Sequence, residues 1–498
     1  MGRRRRASRG KGSIVQRELQ ADLHAGGAAL SLFTAGDVES IHSATLDVLE
    51  RAGVLVEADD ALDVFADAGC RVDRETHLVR IPPAIVTRCL LTVPTSFRLY
   101  GLDPGHDVVM APGRSNTTTF SEPVLVNDLD TGQNRPSTKR DVGDLARLAD
   151  YLDEIDVNSI AVTARDIADE TAELHGLQAM LHNTRKPLCM SMYSRIAARF
   201  VFAMLAAVAG GPDALRDRPI MLAATCPVGP MVLPMTCTDV IIECARAAVP
   251  CAVVSMDMAG ASAPITLAGT LVVQNCEQLA SIVLQQLCGP GSAFVYGTCT
   301  TEFDMRCATA PMGSPEAALF QAGSVALANH YRLPSWTLGF TSDAKRSDCQ
   351  AGHEKTLTGA LAMLAGASII EGPGLLEAGQ TMDFGQLVAD NEIVAMVRHA
   401  RRGIPVNDRT TFVDEIISVG AGNEFLSSKS TLKGARSLSQ TKLIDRQVRE
   451  AWEAAGSPDY YEQAKKEARR ILAEHEIEPL PADVAQEVRA IVEGAEVH

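Results

Sequence analysis

Eight short runs of small and branched residues recur between positions 117 and 372, and each leads into a stretch of helical period. The runs are TTTFS at 117–121, NSIAVT at 158–163, PLCMSM at 187–192, PIMLAAT at 219–225, PCAVVSM at 250–256, SAFVYG at 292–297, LPSWTLGF at 333–340 and ASIIEG at 367–372. Helices are predicted over 140–152, 170–183, 195–209, 237–247, 266–287, 314–331, 349–365 and 382–402. Strands buried on both faces read as nearly continuous apolar runs, and Pro187, Pro219, Pro250 and Pro334 stand at or near strand starts, where a missing N–H is tolerated. Eight consecutive strand–helix units predict an α/β fold, a closed (β/α)8 TIM barrel. An open doubly wound sheet would call for a GxGxxG or GxxxxGK[ST] loop, and the sequence has neither.

The remaining chain divides around this unit. Residues 1–31 read as a disordered tail, 32–115 as an α+β cap, 116–403 as the barrel and 404–498 as a helical extension, placed either over the barrel mouth or in a homo-oligomer contact. A net charge of −16 argues against a nucleic-acid partner, and Arg3 to Arg6 read as a solvated end. No apolar run follows them as in a signal peptide, and no 18 uninterrupted apolar residues occur, so no membrane partner and a cytoplasmic location are expected. The twelve cysteines form no CxxC pair. Most lie inside apolar runs as small hydrophobes, while Cys299 and Cys307 fall in a loop. Without HExxH or paired Cys/His spacing, no protein-bound metal is expected.

In a barrel of this kind chemistry sits just past the strand ends. Those positions hold Phe120, Glu122, Arg165, Tyr193, the Cys226-Pro227 loop, Asp257, Tyr296, Glu302, Trp336 through Lys345, and Glu371. The longest polar stretch, FTSDAKRSDCQAGHEK at 340–355, opens a helix, whose free N–H groups favour an anion. Asp348, Gln350, His353 and Glu354 lie on its first turns, as helix caps or as ligands of a substrate.

Several segments together resemble the trimethylamine methyltransferase superfamily, which includes glycine betaine methyltransferases. They are FTAGDVESIHSATLDVLERAGV near the start, DLDTGQNRPSTKRDVGDLARLAD at 128–150, TCPVGP at 225–230, GASAPITLAGTLVVQNCEQLAS at 260–281 and SDAKRSDCQAGHEK at 342–355. The resemblance implies a β/α barrel that passes a methyl group from an amine to cob(I)alamin on a partner corrinoid protein, with no cofactor held tightly by this chain. Some members carry pyrrolysine near the region matching Gly339 to Thr341; this chain reads Phe340-Thr341-Ser342. A quaternary amine, being already cationic, needs no such residue, so glycine betaine or a related betaine is the expected donor. A tertiary methylamine, or a non-catalytic subunit that binds an amine and docks a corrinoid protein, are the alternatives.

A quaternary ammonium has no N–H, so aromatic faces and carboxylates would recognise it. Phe120, Tyr193, Tyr296, Trp336 and Phe340 are the candidate rings; Glu122, Glu302 and Asp343 are the candidate anions. A betaine carboxylate would need His353, Lys345 or Arg165, with His353 first. The expected catalytic set is His353, Asp343 and Glu302, with Asp348, Gln350 and Glu354 lining the substrate.

Overall fold

The computed structural model describes residues 28–496. The eight runs form β1 (Asn116–Thr118), β2 (Asn158–Ser159), β3 (Leu188–Ser191), β4 (Met221–Thr225), β5 (Cys251–Ser255), β6 (Phe294–Thr298), β7 (Ser335–Leu338) and β8 (Ile369–Glu371). All pair in parallel in the order β1-β8-β7-β6-β5-β4-β3-β2, and a bridge from Thr118 to Val157 brings β1 back to β2. This is the closed barrel that the alternation predicts.

The surrounding helices are α1 (Lys139–Tyr151), α2 (Asp169–Asn183), α3 (Arg195–Ala209), α4 (Met235–Ala247), α5 (Leu267–Cys288), α6 (Pro315–His330), α7 (Cys349–Ala365) and α8 (Phe384–Arg401). Each lies within two residues of its predicted bounds, and five of them, α1, α3, α6, α7 and α8, open on a side-chain N-cap. Thr138 and Asp141 form a capping box on α1, and Ser314 caps α6 just ahead of Pro315. Among the described residues α5 alone is long and apolar enough to cross a membrane, but most of it is buried and it carries Gln274, Glu277 and Gln278 inside the protein.

Strand alternation sorts the side chains. Val157, Cys189, Leu222, Ala252, Val295, Trp336 and Ile369 form one interior cluster with Leu99, Val108 and Met110. Those last three belong to the antiparallel pair Phe97–Leu99 and Val108–Met110, so part of the expected cap is the floor of the barrel. The opposite parity, Val253, Phe294 and Tyr296 among it, packs outward under the helices.

Beyond α8 the chain runs through three short helices, α9 (Val413–Val419), α10 (Lys429–Gly434) and a turn and a half at Arg449–Ala454, to α11 (Tyr460–Glu474) and α12 (Ala482–Ala495). α11 packs on α8 and α1, with Tyr461 donating to Asp383 at 2.6 Å, and α12 packs on α2 and α3. These helices flank the barrel. Most of the expected tail, Arg3 to Arg6 included, lies outside the described residues. Its final residues run along the helices, with Ala28 N–H bonded to Arg401 O and Leu30 N–H to Leu364 O.

Candidate active site

The inward positions nearest the mouth are small on one side of the barrel: Thr118, Ser159, Ser191 and Ala224. Facing them are rings and carboxyl groups. Glu371, opposite Leu338 and Thr118 in the sheet, is 3% exposed and accepts from Trp336 Nε1 at 2.9 Å and Ser121 N at 2.8 Å. The Ser121 hydroxyl also donates to it. Burial pushes its carboxyl up to about 7 against those donors. Phe120 lies above with Leu338, Leu375 and Met312, and Cys299 joins this group to the barrel interior.

Glu122 stands in the left-handed backbone region at φ 65°, uncommon for a residue with a side chain, and the Tyr193 hydroxyl donates to it. Burial raises its carboxyl. Glu173, reaching in from α2, is raised by burial to about 7, with the Glu122 charge adding to the effect, and its Oε2 is buried without a hydrogen bond. Cys189, Cys226 and Cys299 face the same carboxyls; burial is the main cause of their raised thiols, Cys226 to about 12, so they stay protonated. Among the described residues no lysine or arginine forms an ion pair with Glu122, Glu173 or Glu371. Buried carboxyls without a base are costly, and a cation entering among them removes that cost.

A second buried acid pair braces the rim. Asp257, just past the end of β5, meets Glu277 of α5; burial raises both carboxyls and the Glu277 charge raises Asp257 further, so the pair favours holding a proton. Glu277 also accepts from Met231 N at 2.9 Å. A Cβ at Gly229 would stand 2.5 Å from Asp257 Oδ1 and 3.0 Å from Ser262 Oγ, so only glycine lets the TCPVGP loop approach the GASAP loop here. The sequence signal for this pair is a lone carboxylate in the middle of an apolar helix.

Of the residues read off past the strand ends, Phe120, Glu122, Tyr193, Cys226, Trp336 and Glu371 are brought together at the mouth, and Asp257 braces the rim. The others singled out from the sequence are placed elsewhere. Tyr296 has outward parity and is fully buried, donating to Asn275 at 3.0 Å. Phe340, at φ 58°, packs outward against α7, where a Cβ on Gly359 would strike its ring at 2.2 Å. His353 is exposed on α7, and Arg165 is exposed and paired with Asp169 at 3.2 Å. Lys345 Nζ donates to Asp343 O, and Asp348 caps α7. Glu354 accepts from Gln350 Nε2, Ser342 Oγ and Asp343 N. Asp343 accepts from Met312 N and Gly313 N, while Glu302 accepts from Ser314 Oγ. The polar stretch at 340–355 therefore satisfies itself, as helix starts and tight loops do.

Glu371, unlike Glu173, is among the residues read off past the strand ends, although no role is assigned to it there. Parity singles it out, since it is in phase with the inward Ile369 and Trp336. Glu173 offers no comparable signal.

The family model "Trimethylamine methyltransferase (MTTB)" matches residues 1–496. The chain is 42% identical over 470 residues to the trimethylamine methyltransferase MttB of Desulfitobacterium hafniense, covering 94% of this chain and 95% of that one. It is 29% identical over 473 residues to a glycine betaine methyltransferase from another strain of that species, covering 93% and 96%. The Methanosarcina barkeri monomethylamine methyltransferase shares the fold, with a TM-score of 0.50 at 12% identity over 92% of this chain and 97% of that chain. The barrel and the full-length match to the family model and these relatives together make this chain a member of the trimethylamine methyltransferase family.

Proposed function

We propose that this chain holds a methylammonium cation at the barrel mouth and transfers its methyl group to a corrinoid carried by a separate protein. The observation that carries the reading is the group of buried carboxyls, Glu122, Glu173 and Glu371, which have no basic partner among the described residues, beside the rings of Trp336, Tyr193 and Phe120. An aromatic face adds roughly 0.5–2 kcal/mol for a cation. The reduced corrinoid supplies the nucleophile and takes the methyl group. The chain's residues bind the donor, aim one N–CH₃ bond outward and exclude water. The electron pair of that bond leaves with nitrogen, giving a neutral amine. Because the positive charge disappears from nitrogen, the carboxylates hold donor more tightly than product; they serve binding and release rather than lowering the barrier.

The donor we favour is a simple tertiary or quaternary methylammonium, a tertiary amine being bound in its protonated form. A betaine carboxylate would enter a well already lined by acids, and Arg165, Lys345 and His353 are placed away from it. Glycine betaine remains the second reading, favoured by the relative at 29% identity and by the absence of pyrrolysine from the sequence. For docking, the rim loops present exposed apolar side chains, Val228, Met256, Ile265 and Met305 among them, around the strand ends. Such a surface fits a partner that covers the mouth and brings its corrinoid over the donor.

The test follows the visible spectrum of cob(I)alamin mixed with the chain and trimethylamine, tetramethylammonium or glycine betaine in turn. Conversion at least about tenfold faster with a simple methylammonium than with betaine is expected, a difference of roughly 1.4 kcal/mol. Conversion with betaine alone would reverse the choice of donor. Tight amine binding with no conversion of any donor would make this a binding subunit.

A further inference from the structure

Two loops of the mouth meet on a pair of acids whose facing oxygens have no donor. Residues 226–232 follow β4 and residues 256–265 follow β5. Both oxygens of Asp257 and Oε2 of Glu277 are buried without a hydrogen-bond partner, and each side chain is 0% exposed. The remaining oxygen, Glu277 Oε1, accepts from Met231 N at 2.9 Å and so ties the first loop to α5. The second loop is tied through the backbone of the aspartate itself: Thr301 N donates to Asp257 O at 3.0 Å, and Met258–Ala259 runs parallel to Thr301–Glu302. Gly229 lies directly against Asp257 Oδ1 and Ser262, so the first loop rests on the acid pair as well as on α5.

The groups that face the pair are thiols and a phenol. Cys226 stands past β4, Cys237 on α4, Cys276 on α5 itself and Tyr296 on β6, and burial raises all four, so none carries charge. Glu122 and Glu371 act on Cys226 from the side of the well. Among the described residues no lysine, arginine or histidine shifts either acid of the pair. Two carboxylates facing each other in a dry site repel strongly, whereas one carboxyl proton between them gives each a partner.

We propose that Asp257 and Glu277 are positioning residues for methyl transfer, a latch closed by one shared proton that fixes the 226–232 and 256–265 loops relative to each other. Each loop carries part of the reacting surface. Cys226 lies against the well, while Val228, Met256 and Ile265 stand exposed on the rim where the methyl acceptor docks. The spacing between a bound donor and the incoming corrinoid therefore depends on how these loops sit. Carboxyls raised in the folded state contribute stability at low pH and lose it as pH rises through the raised range, here about 7 for Glu277 and about 9 for Asp257. Once the proton is lost, two uncompensated charges remain in a dry site, and the loops part to let water reach them. The same rise in pH strengthens donor binding at Glu371, so donor binding improves while acceptor alignment fails. The inference rests on the reading of the mouth as a methylammonium well.

Hydrogen exchange of the loop amides and methyl transfer from trimethylamine or tetramethylammonium to cob(I)alamin, each measured at about pH 7 and about pH 9.5, test the latch. In the wild-type chain the amides of Met231 and Ala263 should exchange about tenfold faster at the higher pH, after correction for the intrinsic base-catalysed rate. KM for cob(I)alamin should rise by about the same factor, with no rise in KM for the donor. Asp257→Asn places a permanent N–H where the shared proton lies, so this variant should match wild type at the lower pH and lose the pH response. Gly229→Ala forces a methyl group against Asp257 Oδ1 and should behave at the lower pH as wild type does at the higher. Should Asp257→Asn fail to fold, Glu277→Gln supplies the N–H from the other side and carries the same expectation. Wild-type loops indifferent to pH, or a pH response that survives in the amide variants, would overturn the proposal. Absence of methyl transfer from both donors would count instead against the well, and exchange alone would still decide the latch.

Discussion

Glu371→Gln is expected to lower kcat/KM for methyl transfer by a hundredfold to a thousandfold, about 3–4 kcal/mol, with most of the loss in donor binding. Two effects add. The substitution removes one of the charges that face a cation in a dry well. It also leaves one acceptor where three donors converge, since Glu371 takes bonds from Trp336 Nε1, Ser121 N and the Ser121 hydroxyl. A buried donor left unsatisfied costs about 1–3 kcal/mol. Steady-state kinetics with thermal melting separate these effects. If kcat/KM stays within threefold of wild type while the fold is intact, Glu371 has no part in holding the donor.

The largest effect on stability is expected from Lys355→Met, about 3–5 kcal/mol in urea unfolding. Lys355 and Asp390 are fully buried, 2.8 Å apart, and burial lowers the lysine while raising the aspartate. The ammonium also donates to Phe340 O at 2.8 Å, fastening the strained turn that ends β7. Removing the lysine leaves Asp390 buried with only Gly374 N and Gln386 Nε2 as partners. Lys355→Met combined with Asp390→Leu should recover part of the loss, because the isolated charge goes with the pair. A double variant less stable than the sum of the two single variants would contradict this.

The barrel was legible in the sequence because its strands are short apolar runs and five of its eight helices carry their own N-caps. Thr138, Ser314 and Asp348 each mark a helix start by local chemistry alone. The floor was not legible, since residues 32–115 read as a separate α+β cap and nothing local says that Leu99 and Met110 plug a barrel. At the mouth, position past a strand end found Glu122 and Tyr193 but also admitted Tyr296 and Phe340, whose parity turns them outward. The dense polar stretch drew attention because it is polar, yet Asp343, Asp348 and Glu354 are occupied by backbone N–H groups. The carboxyl at the centre of the well, Glu371, is one of many positions past a strand end, and its central place shows only when Trp336 and Ser121 are seen to converge on it.

Calorimetric titration of the chain with tetramethylammonium, a cation with no proton and no carboxylate, in buffers of different ionisation enthalpy tests the cation well most directly. Below the raised range of Glu371, near 7, the empty well holds protons, and a bound cation favours the carboxylate. Binding should therefore strengthen as pH rises from 6 to 8 and release about one proton at the lower end of that range. No binding, or binding that is indifferent to pH and releases no proton, would contradict the account.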